Sequence, residues 1–180
     1  MANIREIQDR IKSINDTKKI TNAMYLISSS KLKRAKKSLS DTEPYFFALQ
    51  SSIAKILEHT DSTQVRQKYF EEGMTKPEAE RKKAYIVVTA DKGLAGAYNH
   101  NVIKIAEKEI EKHPNSKIYI IGQVGMHYFE HRNVEFSHSF KYTIQNPTLS
   151  RARSIAETLL DSYLRDKVDE VYIIYTLSLI

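Results

Sequence analysis

Residues 127–131, His-Tyr-Phe-Glu-His, carry the side chains best suited to metal chemistry in this sequence. His127 and His131 are four residues apart and would share one face of a helix, with Glu130 beside them as a possible base, which matches a zinc-protease pattern. A catalytic zinc also needs a third protein ligand and a cleft, and the predicted helix ends almost at once, at Arg132 and Asn133. We therefore interpret both histidines as surface residues and predict no metal site.

Nucleophilic catalysis has no candidate residue in the sequence. There is no Cys, no G-x-S-x-G motif and no paired-carboxylate pattern, so neither a nucleophile nor an acid–base pair can be named. We predict no catalytic residue and no cofactor. The chain is not expected to be an enzyme acting alone.

The segment from Thr89 to Asn99 follows the first predicted strand, the position where α/β folds bind phosphates. Its glycines, Gly93 and Gly96, are three residues apart without a third glycine, and Lys92 precedes them, so neither the Walker nor the dinucleotide spacing is met. No acid that could bind a ribose follows the second predicted strand. The sequence predicts tight-turn glycines here and no nucleotide site.

The elements that would position these residues alternate between strand and helix over residues 84–180. Short apolar, β-branched runs are typical of strands buried on both faces of a parallel sheet, and the segments between them have helical spacing. The predicted strands are 84–89, 117–121, 134–136 and 168–175, and the predicted helices are 101–112, 124–130 and 147–164. This order predicts a doubly wound α/β domain, which we expect to be truncated after its last strand.

Residues 1–59 have a different pattern, that of a long helix. Apolar positions recur in alternating steps of three and four from Ile4 to Leu39 without Pro or Gly, which predicts a coiled-coil helix of about 54 Å over those residues. The seam begins with Ile4, Ile7, Ile11 and Ile14, and a second apolar set, Ile20, Met24 and Ile27, lies off it. Such a helix is either buried all round or pairs along one stripe while something else holds the other.

Pro44 interrupts the helical pattern. Residues 40–44 are typical of a helix stop and restart, or equally of a kink in one continuous helix, and helical spacing then resumes to about His59. The polar residues 60–83 are typical of a linker. The predicted domains are a shaft helix at 1–59, a linker at 60–83 and the α/β domain at 84–180.

The positive charge of the chain is confined to the predicted shaft. Residues 1–40 contain ten basic side chains and three acids, a balance of +7, whereas the whole chain nets +6, so residues 41–180 net −1. A localised basic excess is a binding surface for an acidic partner or for phosphates. No apolar run approaches the roughly 18 residues of a membrane span, so membrane association is expected only through partners.

Two stretches of sequence carry a family resemblance. The segments Met1–Ile7, Arg10–Ile14, Thr17–Met24 and Lys31–Ala35 resemble the N-terminal helix of the gamma subunit of bacterial F-type ATP synthase. The loop Ala90–Asn99 resembles the family's D-R/K-G-L-C-G loop, with Ala95 where Cys is frequent. The resemblance covers essentially the whole chain.

The resemblance implies a non-catalytic rotor subunit of the central stalk. In this family a shaft of two antiparallel helices turns inside a ring of alpha and beta subunits, and a Rossmann-like domain sits below with the epsilon subunit and the membrane ring of c subunits. The implied function is to couple proton flow through the membrane sector to ATP synthesis or hydrolysis on the ring and to regulate that activity. The implied location is the cytoplasmic face of the bacterial membrane, as a peripheral protein.

The resemblance also implies roles for particular residues. The seam of four isoleucines would pair with the family's C-terminal helix, which is missing here, so we expect the seam to pack against another copy or to fray. The remaining implied contacts are Ile20, Met24 and Ile27 with the alpha/beta ring, and Lys31, Lys33 and Arg34 with the acidic lever of beta. The family loop, with Asp91, Lys92, Gly93 and Gly96, is expected to be structural.

The alternative is a basic coiled-coil protein that binds nucleic acid or acts as a scaffold. Nucleic-acid binding would favour base-reading Asn or Arg clusters and interleaved aromatic residues. Residues 1–40 offer only Tyr25 for stacking, so no nucleic-acid partner is predicted.

Overall fold

The computed structural model describes residues 4–59, 76–141 and 144–177. The chain divides into two compact units, residues 1–65 and 66–180. The first unit is represented by one helix, α1 (Ile4–His59), of 56 residues. At 1.5 Å per residue it is about 84 Å long.

Helix α1 continues through Pro44, so the structure has one continuous helix and not the stop and restart that the sequence allowed. A proline inside a helix removes one backbone hydrogen bond, the one to the carbonyl four residues earlier. That carbonyl belongs to Ser40, which is exposed and can bond to water instead. The turns on either side keep their helical bonds, which is enough to carry the helix past the proline.

The second unit contains a four-stranded sheet in the order β3-β2-β1-β4, with every pairing parallel. Its strands are β1 (Lys83–Val88), β2 (Lys117–Ile121), β3 (His138–Phe140) and β4 (Glu170–Ile174). Its helices are α2 (Tyr98–Lys112), α3 (Gln123–His131) and α4 (Leu149–Leu164), and a short 3-10 turn, Glu78–Glu80, precedes β1. The predicted strand and helix order is confirmed.

The sheet is covered on both faces, because alternate residues of its central strands join different apolar clusters. Tyr85 and Val87 of β1 pack with residues of α2 and α3 such as Val102 and Phe129. Ala84 and Ile86 face the other way and pack with Leu159 of α4. Burial on both faces explains why β1 is an unbroken apolar run from Ala84 to Val88, and the predicted doubly wound α/β class is confirmed.

The third strand lies elsewhere than the sequence predicted. The prediction was residues 134–136, whereas β3 is His138–Phe140. Val134 and Phe136 are apolar for a different reason: they pack, partly buried, against the core from the connection that follows α3. The backbone reaches β2 only at Ser137, whose amide donates to the Ile118 carbonyl at 2.8 Å.

The other element bounds differ from prediction by three residues or fewer. Helix α2 starts at Tyr98 instead of 101, and α4 starts at Leu149 after Thr148, whose hydroxyl accepts a 3.3 Å hydrogen bond from the Arg151 amide. Most of the predicted linker, residues 60–75, lies outside the described residues. The linker therefore stays a prediction, as do the domain bounds drawn from it.

Candidate functional site: the surface of the long helix

Helix α1 has no buried residue. The four isoleucines of the predicted seam, Ile4, Ile7, Ile11 and Ile14, are between 49% and 74% exposed. Large aliphatic side chains exposed in a continuous row are typical of a surface that binds another protein. Among residues 4–59, the described part of this unit, no side chain covers the seam.

The second apolar set is exposed as well and points to another side of the helix. Ile20, Met24 and Ile27 are 48% to 63% exposed. At 100° per residue along a straight helix, the mean direction of this set lies roughly 150° from that of the four isoleucines. The predicted pair of apolar faces is therefore geometrically distinct, and one partner helix could not cover both.

Lys31, Lys33 and Arg34 form an exposed basic group on α1. The sequence has no acid between Asp16 and Asp41, so no carboxylate lies one helical turn away from any of the three. By contrast, Lys19 further back has a 3.3 Å ion pair with Asp16. No carboxylate of α1 thus lies close enough to pair with this basic group, which is available to an external acidic partner.

Hydrogen bonds join the first residues of the loop Ala90–Asn99 to the start of α3. Asp91 Oδ1 accepts a 3.2 Å hydrogen bond from the Gln123 amide, and the Val124 amide donates to the Ala90 carbonyl at 3.0 Å. Asn99 Oδ1 accepts from the Ala90 amide at 2.8 Å and closes the loop from its other end. The carboxylate of Asp91 therefore occupies the amino end of α3, a position at which helices bind anions.

The rest of the loop projects into solvent. Lys92 and Gly93 are exposed, and Leu94, which has a φ of 64°, is 94% exposed. Gly96 has a φ of 56°, a backbone conformation that favours glycine, whereas a Cβ on Gly93 would meet open space. Asp91 and Gly96 thus have structural reasons for their identity, while Lys92 and Leu94 are presented outward.

The histidine motif lies on α3, as predicted, and both rings are exposed. Over residues 4–59, 76–141 and 144–177, no three His, Cys, Asp or Glu side chains converge in a way that could hold a metal ion. The arrangement therefore differs from a catalytic zinc site, which needs three protein ligands.

Sequence reasoning missed the polar contacts that hold the sheet together. The buried Thr89 hydroxyl donates to the Ile121 carbonyl at 3.0 Å and accepts from the Gly125 amide at 2.9 Å. At the other end of the strands, where β1 and β4 begin, Arg81 Nη1 lies 2.8 Å from Glu170 Oε1. These partners are 32 to 89 residues apart in sequence, so no local spacing could have revealed them.

The buried Tyr85 is a second feature that the sequence did not reveal. Its ring stacks on Tyr172 of the neighbouring strand with centroids 5.7 Å apart. Burial raises the pKa of Tyr85 to about 12, and the carboxylate of Glu109 and the ring of Tyr172 add to that effect.

Of the helices in the part of the chain that is described, none is long and apolar enough to cross a membrane.

Comparison with known proteins gives consistent matches. A family model described as ATP synthase matches residues 3–178. The ATP synthase gamma chain of Ruminiclostridium cellulolyticum is 46% identical over 175 residues, which is 97% of this chain and 58% of that protein. The gamma chain of Acetivibrio thermocellus is 44% identical over 176 residues, 98% of this chain and 58% of the relative. This chain thus spans somewhat over half the length of these relatives.

Solved structures support the fold. A rotor from the mitochondrial ATP synthase of Euglena gracilis, in rotational state 1, matches with a TM-score of 0.52 at 10% sequence identity. The match covers 88% of this chain and 52% of the other. A second Euglena gracilis structure, containing OSCP, F1 and the c-ring, matches with a TM-score of 0.53 at 11% identity and covers 88% and 48% of the two chains.

Proposed function

Because this chain belongs to the ATP synthase gamma-chain family, we propose that it supplies the shaft helix and the Rossmann-like domain of a central-stalk rotor subunit. In that role it couples proton flow through the membrane sector to ATP synthesis or hydrolysis on the alpha/beta ring and regulates that activity. The rotor transmits conformational change and leaves the chemistry to the ring, so we propose a non-catalytic subunit.

The observation that carries this proposal is the surface of α1. A 56-residue helix without a buried residue has two apolar sets on different sides, and solvent exposure of both is unfavourable at about 25 cal/mol per Å² of apolar surface. A shaft inside the alpha/beta ring covers both apolar sets. The seam of four isoleucines pairs with a second helix, while Ile20, Met24 and Ile27 face the ring.

The basic group of α1 fits the same arrangement. Lys31, Lys33 and Arg34 have no nearby acid on their own helix, and we propose that they face the acidic lever of the beta subunit. Opposite charge at such a contact sets register and association rate more than affinity. Contacts to the epsilon subunit and the c-ring would then be made by the α/β unit, and the protein would reach the cytoplasmic face of the membrane only through this complex.

A chimeric gamma chain tests the proposal. The matching segment of the Ruminiclostridium cellulolyticum gamma chain is replaced by residues 3–178 of this chain and mixed with that organism's alpha and beta subunits. We expect a complex whose ATP hydrolysis is stimulated as it is by the native gamma chain. A folded chimera that fails to associate with the ring, or that leaves its activity unchanged, would overturn the proposal.

A basic coiled-coil protein that binds nucleic acid is the competing function, and the +7 balance of residues 1–40 is the observation in its favour. Such binding is dominated by phosphate contacts and falls steeply with salt. Retardation of a DNA or RNA duplex in a gel at moderate salt, by this chain at micromolar concentration, would support it. The rotor proposal predicts no retardation under those conditions.

A further inference from the structure

A shallow groove on α3 contains the histidine pair. It has a volume of about 380 Å³ and is lined by Val124, His127, Tyr128, His131 and Arg132. His127 and His131 are one helical turn apart, so both side chains lie on the same face of α3. Both rings are exposed and can be reached from solvent.

A hydrogen bond orients the ring of His131, and a carboxylate lies beside the ring of His127. His131 Nδ1 lies 2.7 Å from the carbonyl oxygen of His127. Since a carbonyl only accepts, Nδ1 of His131 carries the proton, and its Nε2 is left with a lone pair. His127 Nδ1 lies 3.5 Å from Glu130 Oε2, an ion-pair distance that is longer than a well-formed N–H···O hydrogen bond. In its neutral form the ring of His131 therefore turns the lone pair of Nε2 away from the helix backbone, and His127 lies one helical turn away with a carboxylate beside its Nδ1.

This is the arrangement in which histidine binds metals. A ligating imidazole almost always donates its other N–H to a carbonyl or a carboxylate, which fixes the tautomer and raises the basicity of the ligating nitrogen. Here His131 has a carbonyl partner at Nδ1, and the Glu130 carboxylate lies near Nδ1 of His127. Neutral imidazole suits Zn²⁺, Ni²⁺ and Cu²⁺, whereas Mg²⁺ and Ca²⁺ prefer oxygen ligands.

The neighbouring charges set the character of the site. The guanidinium of Arg132 lies 5.4 Å from the ring centroid of Tyr128, so a positive charge borders the groove and would weaken the binding of a cation. The Glu130 carboxylate offsets that charge. In the described part of the chain no third ligand converges here, so water would complete the coordination of any bound ion.

We propose that this groove binds one divalent transition-metal ion of the Zn²⁺, Ni²⁺ or Cu²⁺ class through Nε2 of His127 and Nε2 of His131. It is a two-point, exchangeable site at the surface, and it differs from the three-ligand catalytic zinc site that the sequence motif superficially matches. The site is built from α3 alone and is independent of the proposed rotor function.

Titration calorimetry on the whole chain, prepared without a polyhistidine tag, tests the site. NiCl₂ and ZnCl₂ are the probes, at a pH where free histidine is neutral. We expect one saturable ion per chain. His127→Asn and His131→Asn should each weaken binding at least tenfold, and the double variant should abolish it. Because both rings are exposed, these variants should keep the wild-type circular dichroism spectrum and melting curve.

Two further variants separate the proposed geometry from general histidine binding. Glu130→Gln should weaken binding about tenfold or more, because it removes the negative charge beside Nδ1 of His127 and next to the bound cation. His100→Asn, which changes an exposed histidine on α2, should leave binding unchanged. Electron paramagnetic resonance of the Cu²⁺ complex should show two equivalent nitrogen ligands. Absence of saturable binding, or binding that survives in the double histidine variant, would overturn the proposal.

Discussion

Lys82 and Asp169 exchange two hydrogen bonds at the edge of the sheet where β1 and β4 begin. The Lys82 amide donates to Asp169 Oδ2 at 2.8 Å, and the Asp169 amide donates to the Lys82 carbonyl at 2.7 Å. The Asp169 side chain is only 8% exposed and also forms an ion pair with Lys76. A single carboxylate thus joins the segment before β1 to the segment before β4.

We expect this carboxylate to make the α/β unit sensitive to acid. Burial raises the pKa of Asp169. Hydrogen bonds from Lys76 and from the Lys82 backbone lower that pKa by more than burial raises it, so the net shift is downward. A carboxyl whose folded-state pKa is lowered stabilises the protein above its unfolded pKa and loses that contribution as the pH falls. Asp169→Asn should therefore lower the free energy of unfolding by about 1–2 kcal/mol at pH 7 and by much less near pH 3.

Urea unfolding followed by near-UV circular dichroism of tyrosine measures this difference at both pH values. Asp161→Asn is the matched control, because Asp161 pairs with Arg165 on the exposed side of α4 and such surface pairs contribute about 0–1 kcal/mol. An equal loss for Asp169→Asn at pH 3 and pH 7 would show that the ionised carboxylate contributes nothing specific.

A second prediction concerns the close approach of Gly122 to Thr89. A Cβ at position 122 would lie 2.1 Å from the Thr89 carbonyl oxygen, and Gly122 has a φ of 97°. Gly122→Ala combines a steric overlap with backbone strain, so we expect a loss of about 3 kcal/mol or more in the free energy of unfolding. Thermal melting and urea titration measure that loss.

Gly93→Ala is the control for that substitution. Its new methyl group would meet no atom within 4 Å, so the free energy of unfolding should change by less than about 0.5 kcal/mol. If both alanine variants are equally stable, the packing of Gly122 against Thr89 is not required for folding.

The central strands could be predicted from sequence because they are apolar on both faces. Ile120 and Val87 each belong to a run without polar interruption, and burial alone dictates such a run. The two apolar faces of α1 could be predicted as well, since they depend only on the spacing of apolar residues and on the 100° by which a helix turns at each residue. These features are local, so a single stretch of sequence contains all the information that they need.

The features that sequence missed depend on tertiary structure. Val134 and Phe136 are apolar enough to suggest a strand, but they contact the core from a connection and the strand begins only at His138. The Lys82–Asp169 pair joins residues 87 positions apart. The pattern of charges along the sequence does not show which residues pair over such a separation.

A third prediction follows from the buried phenol of Tyr85. Since its pKa in the folded chain is about 12 and the ordinary value is near 10, the folded state keeps a proton that the unfolded state has lost between those values. Stability should therefore be complete below pH 10 and fall as the pH rises towards 12. In Tyr85→Phe this part of the alkaline loss should be absent.

The alkaline unfolding midpoints of the wild-type chain, of Tyr85→Phe and of a control variant, Tyr175→Phe, measure the effect. Tyr85→Phe loses the hydrogen bond between the phenol and the Glu109 carboxylate at neutral pH, yet its stability should vary less between pH 10 and 12 than that of the wild type. Tyr175→Phe, which changes an exposed tyrosine, should follow the wild-type curve. A Tyr85→Phe curve parallel to the wild type would contradict the raised pKa.

A fourth prediction tests the basic group of α1 within the proposed function. In the chimera, replacing Lys31, Lys33 and Arg34 with Gln should slow assembly with the alpha/beta ring by about threefold or more at low salt, because steering by opposite charge is lost. The difference should shrink at 0.5 M salt, where charges are screened over a few ångströms. Stopped-flow association rates at both salt concentrations measure it.

Lys104→Gln combined with Lys108→Gln, on α2 of the other unit, is the control for this effect and should leave the association rate unchanged. If the control pair slows assembly as much as the three substitutions on α1, net charge alone is responsible. The proposed contact with an acidic lever would then have no support.

The fifth prediction concerns the seam of four isoleucines in the chain as it stands. An isolated helix is held mainly by packing of its apolar face, and α1 has no buried residue. We therefore expect either a dimer with protected amides over residues 4–39 or a monomer whose amides there exchange rapidly. Ile7→Asp with Ile11→Asp should abolish a dimer, whereas Ile20→Asp with Ile27→Asp, on the other side of α1, should leave it intact. Light scattering and amide hydrogen exchange measure both properties, and a monomer with strongly protected amides over residues 4–39 would mean that the seam needs no partner.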